Sequence, residues 1–228
     1  MAYILHIDTS AETGLVALSN DGSIISSITN TDTRNHAAVL NLHIEKVLTD
    51  AHMSLLDLNA IAVCAGPGSY TGLRIGLATA KGLCYVLDKP LMMHHRLLLL
   101  LLEHYYNHLT AYDVYASILN ARDKEYYFAS YNNKLEPIFQ PSHILEEKVT
   151  EIIKRANGKT LLVGDITNNI HTIFSSNDSN VITPVTINIA GWATYAYEKY
   201  NCHEFVNLAH AEPFYLKQVF THKPKNTN

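Results

Sequence analysis

The chain has 228 residues, 47% hydrophobic and 17% charged, with 17 Lys and Arg against 21 Asp and Glu. This composition excludes a disordered chain, and the length suits one large domain or two modest lobes. A formal net charge of −4 excludes a protein that grips nucleic acid unaided, which needs a surplus of cations, although protonating the 13 histidines would reverse the sign.

Tyr3 to Asp8, Thr13 to Ser19 and Ser23 to Thr29 read as strands, and Asn20-Asp21-Gly22 between the last two is a hairpin signal. Val39, Leu40, Ile44, Val47, Leu48 and Ala51 recur at three and four residues. They predict a helix over His36 to His52 with Asn35 as N-cap. Ala60 to Ala65 is a short buried strand leading into a glycine-rich loop. A second helix is expected from Thr71 to Leu87, closed by Asp88-Lys89-Pro90, and a third from Arg96 to His108.

Near Val114 the pattern begins again, with strands at Val114 to Leu119, Glu125 to Tyr131 and Leu135 to Phe139. Sliding the first segment by 112 residues sets Asp8 on Asn120 and Asn20-Asp21 on Asn132-Asn133. Such a repeat predicts two similar α/β lobes, 1–108 and 109–220, each opening with a meander. A helix over Leu145 to Ala156, a strand at Thr160 to Val163 and helical segments to Tyr200 complete the second. A disordered tail is expected over 221–228.

Three widely spaced cysteines, Cys64, Cys84 and Cys202, with no C-x-x-C, encode neither a disulfide framework nor a zinc site. The opening Met-Ala-Tyr-Ile-Leu-His-Ile-Asp lacks a basic n-region, so no signal peptide is expected. The apolar run Leu97 to Leu102 is far short of the ~18–20 residues that span a bilayer. A reduced, cytoplasmic protein is the expectation.

Two segments could carry chemistry. In the turn Asp8-Thr9-Ser10-Ala11-Glu12-Thr13-Gly14, a carboxylate and two hydroxyls could hold hydrated Mg²⁺ and phosphate, or Asp8 could simply bond its own backbone. Gly66-Pro67-Gly68-Ser69-Tyr70-Thr71-Gly72-Leu73-Arg74-Ile75-Gly76 joins a strand to a helix. It is not G-x-G-x-x-G, because Thr71 stands where the third glycine is required. The Gly158-Lys159-Thr160 triplet is no Walker A loop, since Ile153 replaces its first glycine. Gly72, Gly76, Ala80 and Cys84 make a small-residue stripe, which permits either packing on the protein's own sheet or docking of a second helix. His104 and His108 have metal-pair spacing but no carboxylate between them. In the first helix Leu40 and Val47 stand four residues after His36 and His43. Surface or packed histidines are therefore expected, and no catalytic constellation is visible.

Ile4-Leu5-His6-Ile7-Asp8-Thr9-Ser10, Asp57-Leu58-Asn59-Ala60-Ile61-Ala62-Val63 and the block from Gly66 to Leu83 together resemble the bacterial TsaB (YeaZ) family, and Ile118-Leu119-Asn120-Ala121-Arg122 and Pro213-Phe214-Tyr215-Leu216-Lys217 extend the likeness. This family is the accessory subunit of the machinery that makes threonylcarbamoyladenosine at position 37 of tRNA. The resemblance implies a two-lobed actin-like, sugar-kinase and Hsp70 ATPase-type fold with duplicated ribonuclease-H-like lobes. It also implies a non-catalytic scaffold, paired with a TsaD-type catalytic paralogue that carries the metal-binding histidines and joined by a TsaE-type ATPase. tRNA would be reached only through that complex, with a homodimer formed by the chain alone. The implied partner interface is the loop and helix bearing Gly68, Tyr70, Thr71, Gly72, Arg74, Ile75, Gly76, Thr79 and Ala80. Asp8, Thr9, Ser10 and Asn120 would form a degenerate phosphate pocket. No cofactor or metal is expected beyond weak nucleotide binding, because Asn120 replaces the usual aspartate. Met92-Met93-His94-His95-Arg96-Leu97 also departs from the family's serine-serine-leucine-glutamate type of segment. A glycoprotease-type metallopeptidase, which needs a metal or nucleophile, and a small-molecule kinase of the same fold stand as alternatives.

Overall fold

Alternation along the first strand sets the architecture. In β1 (Tyr3–Asp8), Leu5 and Ile7 face one core, whereas Ile4 faces another. A computed structural model describes residues 1–31, 35–108, 111–155, 158–165, 170–172, 180–182 and 186–216. The tail expected to be disordered lies outside these residues.

The first sheet comprises β1, β2 (Gly14–Asn20), β3 (Ser23–Asn30), β4 (Ala60–Cys64) and β5 (Leu91–His94), in the order β3-β2-β1-β4-β5. The second comprises β6 (Val114–Arg122), β7 (Glu125–Asn132), β8 (Pro137–Leu145), β9 (Thr160–Gly164) and β10 (Asn180–Ile182), in the order β10-β9-β6-β7-β8. Each is an antiparallel meander extended on its first strand by two parallel strands. The repeat read from the sequence is therefore a repeat of topology. Asp21 and Gly22 both take positive φ, as a tight hairpin turn demands.

Helices α1 (His36–Asp50) and α2 (Tyr70–Leu87) cover the outer face of the first sheet through Leu40, Ile44, Val47, Leu77, Ala80 and Cys84. Helix α4 (Glu146–Arg155) covers the outer face of the second. Between the sheets lie α3 (Arg96–Asn107), with all six residues of Leu97–Leu102 buried, and α5 (Ile189–Asn201). Ala60 and Ala62 on β4 leave room for this middle layer. Gly191 lets α5 approach the α3 backbone at Leu102 and Glu103, where a Cβ would be crowded at 3.0–3.2 Å.

Residues 189–216 belong to both lobes. Helix α5 packs on β1 and β3, and a strap over Val206–Leu216 returns to the first sheet, where Val206 N–H donates to Leu91 O at 2.9 Å. A second lobe running unbroken over 109–220 does not describe this return.

Three strand assignments differ from the sequence reading. β5, four residues with two methionines, carries too little β-branched signal to stand out. β8 continues through Pro141 to Leu145, which an edge strand permits because an outward position needs no donor. β10 falls where helical segments were expected.

Candidate functional site

The amino terminus of α2 is seated on the turn that follows β1. Ser69 caps the helix by accepting from Gly72 N–H at 3.2 Å, and its own N–H donates to Ser10 O at 2.8 Å. The Thr9 hydroxyl donates to Gly72 O at 2.7 Å. A Cβ at Gly68 would overlap the Ser10 carbonyl, one at Gly72 the Thr9 carbonyl, and one at Gly76 the Thr9 hydroxyl. These glycines exist so that the helix can rest on backbone.

This corrects the implied interface. Gly72, Gly76 and Ala80 are buried against the chain's own first sheet and cannot touch a partner. Of the other residues named, Gly68, Tyr70, Thr71 and Arg74 are exposed, while Ile75 and Thr79 are half-buried. The signal was present: Leu73 and Leu77, beside Gly72 and Gly76, mark that face as the buried one. A neighbouring stripe faces outward on the helix, of which the sequence reading named Thr71 and Ile75 but not Ala78, Gly82 or Val86. Gly82 faces open space, and Tyr85 and Val86 are each 80% exposed. Leu42 on the adjoining α1 is also exposed. Leu42, Tyr85 and Val86 thus leave large apolar side chains in water on adjoining helices.

The implied phosphate pocket does not assemble. Asp8, Thr9 and Ser10 are buried, and Asp8 Oδ1 accepts the Ser10 N–H at 2.8 Å, so the carboxylate bonds its own turn. The space beside Asp8 and Thr9 is a cleft of about 10 Å³, lined also by Leu15, Asn30 and His43. Asn120 is exposed and lies opposite Tyr126, which belongs to the outer core, whereas Asp8 lies opposite Leu15, which packs on the core between the sheets. The two positions matched by the 112-residue offset thus face opposite sides of their sheets.

Of the surface or packed histidines expected, three are packed inside. His6 Nε2 lies 2.8 Å from Ser19 Oγ, and Trp192 Nε1–H donates to His94 Nδ1 at 2.8 Å. His6 and Trp192 meet edge to face at 5.0 Å, and His95 stacks on Phe214 at 3.7 Å. Burial pushes His6 and His94 down to about 3 and His95 to about 4, so all three are neutral packing groups. His94 and His95 come from the segment that departs from the family pattern, and their role is to hold α5 and the strap.

Among the described residues no three His, Cys, Asp or Glu side chains converge as a metal site requires. His104 lies on α3, and the His108 carbonyl accepts from the Tyr115 hydroxyl at 2.8 Å. Burial raises the Cys64 thiol, and pushes Cys84 up to about 12, which leaves both inert as nucleophiles. No described helix is long and apolar enough to cross a membrane.

Comparison with known proteins places this arrangement. The family described as TsaD, tRNA N6-adenosine threonylcarbamoyltransferase, matches residues 23–216. The chain belongs to this family. Within it the likeness is of TsaB (YeaZ) type. The Escherichia coli tRNA threonylcarbamoyladenosine biosynthesis protein TsaB is 29% identical over 94% of each chain. The solved YeaZ of Pseudomonas aeruginosa superposes with a TM-score of 0.75 at 22% identity, covering 95% of this chain and 100% of that one. An Arthrobacter inorganic polyphosphate/ATP-glucomannokinase shares the fold, with a TM-score of 0.53 at 11% identity over 89% of this chain and 100% of that one. The TsaB-type chain thus has a two-lobed architecture of the sugar-kinase kind, with the Asp8 turn covered by its own helix α2.

Proposed function

We propose that this chain is the non-catalytic scaffold that pairs with a TsaD-type paralogue, together with a TsaE-type ATPase, to form threonylcarbamoyladenosine at position 37 of tRNA. The outward stripe of α2 carries this reading. A helix that presents Ala78 and open Gly82 beside exposed Tyr85 and Val86 offers close backbone approach flanked by apolar anchors, the arrangement that helix-to-helix docking uses. Membership of the family makes a paralogue of like fold the fitting partner. When the partner is absent, the same stripe pairs two copies of the chain. tRNA is held by the assembly, with this chain acting at its edge, in the cytoplasm where tRNA is processed.

The non-catalytic assignment is supported by the closed turn at Asp8 and the inert thiols. Neither the peptidase nor the kinase reading finds its chemistry among the described residues. Reconstitution tests the proposal. The purified chain alone should make no modified tRNA, and the paralogue should make it only when this chain is added. Product from this chain alone would overturn the assignment.

A further inference from the structure

One surface cluster is left without a role by the docking stripe. At the amino-terminal end of α2, beside the stripe, Tyr70 is 45% exposed and Tyr215, on the strap, 39%. Arg74 is held between them. Its guanidinium carbon sits 4.2 Å from the Tyr70 ring centroid, and its Nε–H donates to the Tyr215 hydroxyl at 3.0 Å. The Tyr70 and Tyr215 rings lie 5.2 Å apart, tilted by 33°. The bond through Nε leaves both terminal NH₂ groups of Arg74 without a hydrogen bond among the described residues. The guanidinium of this exposed arginine is therefore oriented in advance.

From Arg74 a groove of about 370 Å³ runs between α2 and the strap, lined by Leu77, Ala78, Lys81, Ala211 and Pro213, with Glu212 at one wall. Lys81 is fixed there by donating to Ala211 O at 3.1 Å. Among the described residues the groove carries two cations, Arg74 and Lys81, against the single carboxylate of Glu212, on a chain whose formal net charge is −4.

We propose that Tyr70, Arg74 and Tyr215 form a contact for unpaired RNA, with Arg74 taking a backbone phosphate, the open Tyr215 ring stacking a base, and Lys81 meeting a second phosphate. Open aromatic faces alternating with cations suit a single strand, whose bases are free to stack, better than a duplex. A protein partner could offer carboxylates to the same cations but would not call for an aromatic ring open to stacking between them. This inference extends the tRNA-modification reading and commits to an RNA contact made by this chain itself.

The test is fluorescence anisotropy of the full-length chain in complex with the TsaD-type paralogue, using a labelled RNA stem-loop and, in parallel, the fully paired duplex of the same length. The stem-loop should bind in the micromolar range and more tightly than the duplex. Arg74→Ala or Tyr215→Ala should weaken it about tenfold, in line with the loss of one phosphate or one stacking contact. Arg74→Ala should also lower the slope of log affinity against log salt by about one. Thermal melting and co-purification with the TsaD-type paralogue should be unchanged in both variants, which separates failure of this inference from failure of the scaffold reading. Equal binding of stem-loop by the double variant and the parent would overturn the proposal. So would loss of the paralogue instead of RNA, which would make the cluster a protein contact.

Discussion

Three glycines on α2 receive the same substitution with opposite expected signs. Gly82→Ala places a methyl group in open space on a helix interior, so it removes glycine's backbone entropy penalty and stabilises by about 1 kcal/mol. Gly76→Ala gains the same helical preference but drives the Thr9 hydroxyl away and breaks its bond to Gly72 O. The lost bond costs about 1 kcal/mol and the overpacking about 1–3 kcal/mol, for a net loss of about 1–3 kcal/mol. Gly72→Ala meets the Thr9 carbonyl, which is backbone and cannot rotate aside, so it should be the worst of the three, at about 2 kcal/mol or more. Urea unfolding followed by circular dichroism reads all three, and melting should shift by about 2–4 °C for each kcal/mol in a chain of this size. Adding Thr9→Ala should recover part of the loss in Gly76→Ala and none of that in Gly72→Ala. If Gly72→Ala proves as stable as Gly82→Ala, the stripe does not rest on the chain's own turn, and the assignment of the opposite face as the docking surface loses its basis.

Two further outcomes follow from the interior. Because His6, His94 and His95 are held well below the ordinary value near 6.5, the unfolded chain binds more protons than the folded one between about pH 4 and 6.5. Their contribution is complete above about pH 6.5 and is lost as the pH falls through that window, by up to ~1.4 kcal/mol per pH unit for each histidine. Urea midpoints should therefore drop between pH 7 and pH 5, and His94→Gln should flatten the slope; a midpoint independent of pH would contradict the neutral-packing account. Calorimetric titration with Mg²⁺ and ATP should show no saturable heat, since the Asp8 turn bonds its own amide and is covered by α2. Saturable binding abolished by Asp8→Asn would contradict the closed turn.

Much of this was legible in residues alone. The hairpin at Asn20-Asp21-Gly22 and the repeat beginning at Val114 are local patterns, and both sheets form from them with the same strand order. What escaped depends on contacts distant in sequence. Whether Gly72 and Gly76 face inward is decided by Thr9, more than sixty residues away along the chain but in contact through the fold. Small residues permit close approach without saying by what, so the stripe was placed on the wrong side of the helix. His94 and His95 look polar in sequence. Their environment is supplied by Trp192 and Phe214, about a hundred residues later, which no local window contains. Asn120 was matched to Asp8 by an offset of 112 residues, and a one-residue difference in offset is enough to exchange the faces of a strand.

The docking stripe is tested most directly by Gly82→Arg, with Val86→Arg alongside. Both positions are solvent-exposed and Gly82 has nothing within contact distance, so Val86→Arg should melt with the parent chain and Gly82→Arg at or slightly above it, while each places a bulky charge on the proposed contact. Co-expression with the tagged TsaD-type paralogue should recover the parent chain and neither variant. Recovery of folded Gly82→Arg at parental yield would contradict the docking of a partner on this face.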